Sequence, residues 1–158
     1  MDRFTDQVSI VTGAATGIGY GIAERLLSEG GKVIMVDFDE NMALQSQKEL
    51  DPRTERVGLT VGDVADTNTA AMAVKQAIDT WGRIDILVNN AGIGGRNGNI
   101  WDLNIEEMDR VYRTNLRGVF SFCHEVIPEM LKNNYGRIIN IASAHGLVAS
   151  AQKAAYVA

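Results

Sequence analysis

The chain has 158 residues, of which 46% are hydrophobic and 22% are charged, a balance that supports a packed core and argues against disorder. The net charge is −5, with acidic and basic residues interspersed, which argues against nucleic acid as a partner because such binding uses basic patches. No apolar run approaches the ~20 residues that span a bilayer, the first residues lack an apolar signal core, and Cys123 is the single cysteine; we therefore predict a cytoplasmic protein with no membrane partner.

Short β-branched runs alternate with longer helical stretches along the chain. Strands are predicted at Val8 to Thr12, Lys32 to Val36, Arg56 to Val61, Ile84 to Val88 and Arg137 to Ala142. Helices are predicted at Gly17 to Glu29, Asn41 to Leu50, Thr67 to Trp81 and Ile105 to Lys132, and the longest loop is predicted at Ala91 to Asp102. This alternation predicts an α/β fold of parallel strands joined by right-handed helical crossovers, with residues 1–158 forming a single domain.

A glycine-rich turn, with glycines at Gly13, Gly17 and Gly19, joins the first strand to the first helix. Glycines let the backbone approach a pyrophosphate closely, and the helix start offers unpaired N–H groups and the positive end of a dipole. Asp37 lies 18 residues beyond Gly19 (37 − 19 = 18), where a carboxylate can bind the adenosine ribose and repel a 2′-phosphate. No arginine follows it, so we predict NAD rather than NADP; the alternative is an ordinary strand-to-helix turn with an exposed aspartate.

Asn115 interrupts the last predicted helix, shortly before Gly118. Asparagine and glycine are both weak in helix interiors. We expect a bend or a disrupted turn that frees backbone groups and directs Asn115 toward a functional site. The alternative is an exposed asparagine in a continuous helix.

The spacing Gly13-x-x-x-Gly17-x-Gly19 resembles the signature of the short-chain dehydrogenase/reductase family. Further matches follow in order and extend the resemblance over residues 12–156. They are Asp63-Val64, Asn89-Asn90-Ala91-Gly92, Asn115, Ser143 and Tyr156. Ser143 and Tyr156 are 13 residues apart, as in the family's catalytic pair. The resemblance implies a Rossmann-type doubly wound parallel sheet with strand order 3-2-1-4-5.

The same resemblance implies which residues bind NAD and which carry out the chemistry. The implied cofactor contacts are Gly13, Thr16, Gly17, Ile18, Gly19, Asp37, Asp63, Val64, Asn90, Ala91 and Gly92. The implied reaction is hydride transfer between nicotinamide and a secondary alcohol or ketone. Tyr156 would be the acid/base, provided that its pKa lies below the usual ~10. Ser143 would hydrogen-bond the substrate oxygen, and Asn115 would hold a water in a proton relay.

The family's Tyr-x-x-x-Lys motif is incomplete here, because the printed chain reads Tyr156-Val157-Ala158 and the lysine would fall two residues later. We therefore expect a fold truncated after the fifth strand, belonging to a longer natural chain, and little or no turnover from a polypeptide that ends at Ala158. A non-catalytic NAD-binding protein is the alternative. The fifth strand would present an exposed apolar edge, a liability for aggregation.

The segment from Ser143 to Tyr156 resembles that of D-3-hydroxybutyrate dehydrogenases. His145 and Lys153 stand where those enzymes bind the substrate carboxylate, and two cationic or donor groups suit a small anionic substrate. The alternative is a histidine and a lysine that face solvent. Gly94 replaces the glutamine usual in those enzymes, and Arg96 could serve an anion instead. Sugar-alcohol dehydrogenases and 3-oxoacyl reductases remain alternative assignments.

The family commonly forms tetramers, which implies a homo-oligomer, either a tetramer or a dimer. Residues Leu116 to Lys132 would supply an interface helix, although some of its apolar residues must face the sheet. A small-molecule alcohol or ketone is the other expected partner, and no metal site is expected.

Overall fold

The computed structural model describes residues 2–158 and contains a five-stranded parallel sheet. The strands are β1 (Val8–Thr12), β2 (Lys32–Asp37), β3 (Val57–Val61), β4 (Ile86–Asn89) and β5 (Arg137–Asn140). The helices are α1 (Gly17–Ser28), α2 (Glu40–Leu50), α3 (Thr67–Trp81), α4 (Ile105–Tyr112), α5 (Gly118–Lys132) and α6 (Ala154–Val157).

The strand order is β3-β2-β1-β4-β5, which confirms the predicted order. Every neighbouring pair is parallel, with Ile10 opposite Ile34 on one side and Leu87 on the other. The direction of winding reverses between β1 and β4. In open α/β sheets, ligands bind in the crevice outside the carboxyl ends of the strands at such a switch point.

Two apolar clusters cover the two faces of the sheet. Ile10 and Phe122 belong to the cluster that includes α3 and α5 residues, whereas Val11 and Leu26 belong to the cluster on the α1 side. Ile10 and Val11 are adjacent in β1, so they point to opposite faces as strand geometry requires. All five β1 residues are buried, which explains a strand without polar alternation.

Two predicted strand limits are wrong by two residues each. β4 begins at Ile86 instead of Ile84, since the Asp85 carboxylate accepts the Val8 N–H at 2.9 Å. β5 ends at Asn140 instead of Ala142. Its neighbour β4 ends at Asn89, whose carbonyl accepts the last bond, from the Ile141 N–H.

The remaining differences are shifts of one residue, and the limits of β1 and α3 are as predicted. β2 extends to Asp37, and α1 ends at Ser28 instead of Glu29. β3 begins at Val57 because Asp51 binds the N–H groups of both Arg56 and Val57 and holds a turn there. In α2 the first residue is Glu40, since the Asp39 side chain accepts the Met42 N–H and caps the helix. Within the predicted loop at Ala91 to Asp102, the residues Ile100–Asp102 form a 3-10 turn.

The long predicted helix from Ile105 to Lys132 is divided at the expected place. α4 ends at Tyr112, a π-helical turn covers Arg113–Arg117, and α5 follows. Asn115 lies at the centre of this turn. A π turn shifts backbone bonding to i→i+5 and is frequent at functional sites. The predicted break at Asn115 is therefore confirmed.

The last part of the described chain lies at the edge of the sheet. All four residues of β5 are exposed, and Ile139 has 41% of its surface accessible. This agrees with the apolar edge expected from the sequence. A 3-10 turn at Ala144–Gly146 and the short helix α6 follow. α6 starts at Ala154, two residues before Tyr156.

Candidate active site

A cleft of about 360 Å³ lies at the carboxyl ends of β1 to β4. Its walls follow directly after the strands, because parallel strands deliver their carboxyl ends to one edge of the sheet. The predicted cofactor residues that line it are Gly13, Thr16, Gly17, Ile18, Asp37, Asp63, Val64, Asn90, Ala91 and Gly92. Of the predicted set, Gly19 alone does not line this cleft and is buried in α1. We name this space the coenzyme cleft.

The glycine turn needs glycine at two positions for different reasons. Gly17 has φ +57°, and a β-carbon there would meet no atom within 4 Å. The conformation therefore favours glycine, and the space above the residue is open. A β-carbon on Gly19 would lie 2.1 Å from the Gly13 carbonyl oxygen. Close packing of helix against turn thus excludes any side chain at Gly19.

The first turn of α1 differs from the starts of α2, α3 and α4. Asp39, Asp66 and Asn104 cap those three helices with side-chain oxygens. Within the part of the chain that the structure describes, the Thr16 side chain makes no cap bond, and the first turn of α1 holds no acidic residue. Its N–H groups and dipole are consequently available to an anion in the coenzyme cleft.

Asp37 reaches the coenzyme cleft with its carboxylate partly engaged. One oxygen, Oδ2, accepts the Ala15 N–H at 2.9 Å, and Oδ1 accepts the Asp39 N–H at 3.2 Å. An ionised carboxylate has about four acceptor positions. Two therefore remain for hydroxyl donors.

Thr12 and Asn90 fasten the ends of β1 and β4 together. The Thr12 hydroxyl oxygen accepts the N–H groups of Asn90 and Ala91, at 2.9 and 3.0 Å. In return the Asn90 side chain donates to the carbonyls of Thr12 and Gly13, at 2.9 and 3.1 Å. These bonds fix the floor of the coenzyme cleft at the switch point of the sheet.

A second cleft of about 550 Å³ adjoins the first, and the two share Ile18 and residues 90–93. All three predicted catalytic residues, Asn115, Ser143 and Tyr156, line it. None of its lining residues within 2–158 carries a formal charge. We name this space the catalytic cleft. The structure therefore brings the predicted catalytic residues next to the predicted cofactor residues.

The side chain of Asn115 is bound to the loop after β4. Its Oδ1 accepts the Ile93 N–H at 2.8 Å, and its Nδ2 donates to the Ile93 carbonyl at 2.9 Å. Both ends of the amide are therefore paired with one residue. The side chain fixes the wall that the two clefts share.

Around Tyr156, the segment after β5 folds back on itself. The Ser143 hydroxyl oxygen accepts the His145 N–H at 3.2 Å and caps the 3-10 turn. The His145 ring lies edge-on to the Tyr156 ring, with 6.1 Å between centroids. His145 does not itself line the catalytic cleft, but it lies directly against a residue that does.

Lys153 lies at the other border of the catalytic cleft. Its Nζ is 3.6 Å from the place that a β-carbon on Gly94 would occupy, and Gly94 lines the cleft. The strand-like pairing of Gly98 with Lys153, together with a bond from the Gly98 N–H to the Gln152 carbonyl, holds the two segments together. A β-carbon at position 94 would be in ordinary van der Waals contact with the ammonium group, so only a longer side chain would compete with it for space.

Arg96 lines neither cleft within the described chain. Its backbone N–H donates to Glu107 of α4, and the guanidinium of Arg110 donates to the same carboxylate. Arg110 first, and then the Arg96 N–H, hold the pKa of Glu107 below its usual value. Glu107 thereby fixes the backbone of the loop that carries Arg96.

Some residues of the site were not identified from the sequence. Phe38, 77% exposed, lines the coenzyme cleft beside Asp37. An exposed aromatic residue directly after a candidate ribose-binding aspartate is a signal that could have been used. Ile93 and Thr114 also line the coenzyme cleft, and no local sequence pattern distinguishes them from ordinary loop and helix residues.

The parallel sheet of order β3-β2-β1-β4-β5 with helices on both faces defines a Rossmann-like α/β fold. The family model described as short chain dehydrogenase matches residues 7–158, so the chain belongs to that family.

Its relatives include proteins named for particular substrates. The chain is 38% identical over 156 residues to "2-dehydro-3-deoxy-L-rhamnonate dehydrogenase (NAD(+))" of Sphingomonas sp. (strain SKA58), covering 99% of this chain and 61% of the relative. It is also 38% identical over 152 residues to "D-beta-hydroxybutyrate dehydrogenase" of Cupriavidus necator, covering 96% of this chain and 58% of the relative. The chain thus spans about 60% of the length of these curated relatives.

Solved structures show the same extent of similarity. NAD+-bound xylitol dehydrogenase superposes with a TM-score of 0.93 at 30% identity, over 98% of this chain and 60% of that one. Levodione reductase superposes with a TM-score of 0.92 at 34% identity, over 98% and 61%. These comparisons confirm the fold and the family predicted from the sequence.

Two features are absent from residues 2–158. No described helix is both long enough and apolar enough to cross a bilayer. Among the same residues, no group of three or more His, Cys, Asp or Glu side chains is arranged to hold a metal ion.

Proposed function

We propose that this chain is the coenzyme-binding part of an NAD-dependent oxidoreductase that interconverts a secondary alcohol and a ketone. One observation carries the proposal: the uncapped start of α1 and the Asp37 carboxylate border the same cleft. The first suits a pyrophosphate and the second suits a ribose diol, and a dinucleotide presents both.

NAD is proposed over NADP because the charge at Asp37 opposes a 2′-phosphate. The neighbouring residues Phe38 and Asp39 offer no cation to neutralise such a phosphate. The names of the Sphingomonas relative and of the xylitol dehydrogenase structure both include NAD+, which supports this choice. The proposed NAD contacts are the predicted ones, except that Gly19 would contribute indirectly, by allowing the first helix to pack closely against the glycine turn.

For the chemistry, we propose that NAD supplies the hydride acceptor and that Tyr156 moves the proton on the substrate oxygen. Ser143 would donate a hydrogen bond to that oxygen, since its own oxygen already accepts the His145 N–H. Because both ends of the Asn115 amide are bound to Ile93, a relay water would be held by main-chain groups that the π turn frees.

The substrate class that the borders of the catalytic cleft favour is a small hydroxy acid such as 3-hydroxybutyrate. The lining is uncharged, and the ionisable groups beside it are His145 and Lys153. A cation above Gly94 would attract a carboxylate. The similarity to D-beta-hydroxybutyrate dehydrogenase supports this class. The similarity to a dehydrogenase of a sugar acid and to xylitol dehydrogenase keeps sugar-derived alcohols as the second candidate.

Assembly and location are further parts of the proposal. In α5, Phe120 and Leu131 are 70% and 68% exposed. We propose that this apolar face is covered in a homo-oligomer, a dimer or a tetramer, which light scattering would detect. A cytoplasmic location remains a prediction from the single cysteine and the composition, and fractionation of source cells would test it.

The coenzyme proposal is tested by calorimetry with NAD and NADP on the chain and on two matched variants. Ile18→Glu places a carboxylate at the junction of the clefts, whereas Ile100→Glu makes the same change at an equally exposed site, 72% against 67%. We expect NAD to bind more tightly than NADP. The Ile18 variant should lose at least about tenfold in affinity through charge repulsion, and the Ile100 variant should bind normally.

The proposal is overturned if the parent chain gives no heat with NAD, or if both variants bind it equally well. Turnover needs a separate test, in the longest natural polypeptide that contains this chain. We expect Tyr156→Phe to lower kcat by about 10²-fold or more while NAD affinity is kept. Binding without turnover in the parent would favour the alternative of a non-catalytic NAD-binding protein.

A further inference from the structure

Ser46 of α2 lies beneath the glycine turn and is bonded to it. Its hydroxyl donates to the Ala15 carbonyl oxygen at 2.7 Å, and the bond is buried. Ala15 is itself 3% exposed, and its N–H is the group that Asp37 Oδ2 accepts at 2.9 Å. Both main-chain polar groups of Ala15 are therefore held by side chains from outside the turn.

These bonds form a closed ring through three elements. Asp37, at the end of β2, binds the Ala15 N–H with one oxygen and the Asp39 N–H with the other. Asp39 caps the start of α2 by accepting the Met42 N–H. The same helix carries Ser46, which returns to Ala15. The position of the turn, the orientation of the Asp37 carboxylate and the placement of α2 are thus mutually dependent.

Ser46 is set apart from its neighbour Gln47 by what each one binds. The Gln47 side chain donates to the Val57 carbonyl of β3 at 2.9 Å. That bond also joins α2 to the sheet, but it does not touch the glycine turn. Removal of the Gln47 side chain therefore serves as the control, because it measures how much NAD affinity depends on a bond that only holds α2 against the sheet.

We propose that Ser46 is a positioning residue for the coenzyme: it holds the turn in the conformation that accepts the diphosphate and keeps Asp37 aligned for the ribose. This inference rests on the proposed function. Without the Ser46 hydroxyl, the Ala15 carbonyl loses its buried donor and the turn samples other conformations. Apparent affinity then falls in proportion to the fraction of molecules whose turn remains competent.

The test compares Ser46→Ala and Ser46→Thr with Gln47→Ala, each in the full chain. The first measurement is amide hydrogen exchange at Ala15 without ligand, since its N–H is the one that Asp37 accepts. We expect faster exchange in Ser46→Ala and parent-like protection in Gln47→Ala. The second is calorimetry with NAD. We expect the dissociation constant to rise about three- to tenfold in Ser46→Ala, the loss expected for one buried hydrogen bond, and to be unchanged in Gln47→Ala.

Ser46→Thr keeps the donor and should restore at least part of the affinity. Equal NAD affinity in Ser46→Ala and the parent overturns the inference, whatever happens to exchange. The inference is also overturned if Ser46→Ala and Gln47→Ala lose NAD affinity equally, since the effect would then come from α2 as a whole. No NAD binding by the parent overturns the proposed function instead, while the exchange experiment still tests whether Ser46 holds the turn.

Discussion

The coenzyme cleft and the catalytic cleft adjoin each other, yet the chain holds them in different ways. Thr12, Asn90 and Asp37 surround the first cleft with bonds among β1, β2 and β4, strands whose residues are almost all buried. The second depends on the segment after β5, where Ile139 is 41% exposed and Leu147 is 91% exposed. Its position is fixed mainly by local turns and by the pairing of Gly98 with Lys153.

The coenzyme cleft is therefore more preorganised than the catalytic cleft. Regions with few buried apolar contacts open at low free-energy cost, whereas core strands open only on global unfolding. We therefore expect the coenzyme cleft to be as stable as the fold itself and the catalytic segment to exchange faster. Four substitutions test whether the two clefts differ in this way.

The largest expected effect is that of Thr12→Val, which removes the hydroxyl that joins β1 to β4. Two N–H groups, those of Asn90 and Ala91, lose their acceptor. At about 1–3 kcal/mol for each orphaned group, we expect a loss of about 3 kcal/mol in the free energy of unfolding, measured with urea. Thr60→Val is the matched control, because its hydroxyl makes one bond, to Gln76. Equal losses of unfolding free energy in the two variants would contradict the role of Thr12 in joining β1 to β4.

Asn115→Ala should have the next largest effect, since it frees both main-chain groups of Ile93 at the wall between the clefts. We expect a loss of about 1–2 kcal/mol in urea unfolding, with faster amide exchange at Ile93. Asn133→Ala removes an exposed side chain that donates to the Glu129 carbonyl and should change the free energy of unfolding by less than about 0.5 kcal/mol. Unchanged exchange at Ile93 in the Asn115 variant would count against a positioning role for Asn115.

Ser9→Ala should increase the free energy of unfolding, in contrast to the two preceding variants. Ser9 shares β1 with Thr12, but its buried hydroxyl has no hydrogen-bond partner among residues 2–158. Burial of an unpaired hydroxyl costs free energy, so we expect a gain of up to about 1 kcal/mol, seen as a higher Tm. A clear loss would indicate that the hydroxyl has a partner, such as a buried water.

The smallest effect on stability is expected for Ile139→Lys in β5. Because this residue is already exposed, the free energy of unfolding should change by less than about 0.5 kcal/mol. A charge on an open strand should still lower aggregation, which turbidity during heating would show. The matched control, Leu87→Lys, changes a fully buried residue in the neighbouring strand and should prevent folding. Unfolding of the Ile139 variant would show that β5 is held more firmly than its exposure indicates.

The sequence was sufficient for features that depend on local pattern. Glycine spacing, the distance from Gly19 to Asp37 and the weak helix formers around Asn115 each correspond to a backbone requirement, and the structure has those features in place. Element order followed from the alternation of strands and helices. Such signals involve residues close together in the chain, so they can be interpreted without knowing the fold.

What the sequence did not indicate depends on contacts between distant residues. The start of β4 was misplaced because the Asp85 carboxylate replaces a ladder bond at Val8, 77 residues away. The bonds from Asn115 to Ile93 and from Ser46 to Ala15 are also long-range. The sequence does contain one indication of the role of Ser46. It lies with Ala43 on the buried face of α2, at i, i+3 spacing, and a buried polar side chain needs a hydrogen-bond partner.

The engagement of Asp37 with Ala15 limits how the proposed preference for NAD could be changed. Replacing this aspartate by a small apolar residue would remove the repulsion of a 2′-phosphate and at the same time leave the Ala15 N–H without its acceptor. An asparagine would turn an amide group toward one of two N–H donors. A change of coenzyme therefore requires a compensating acceptor for the Ala15 N–H, and a single substitution at Asp37 should weaken NAD binding before it creates NADP binding.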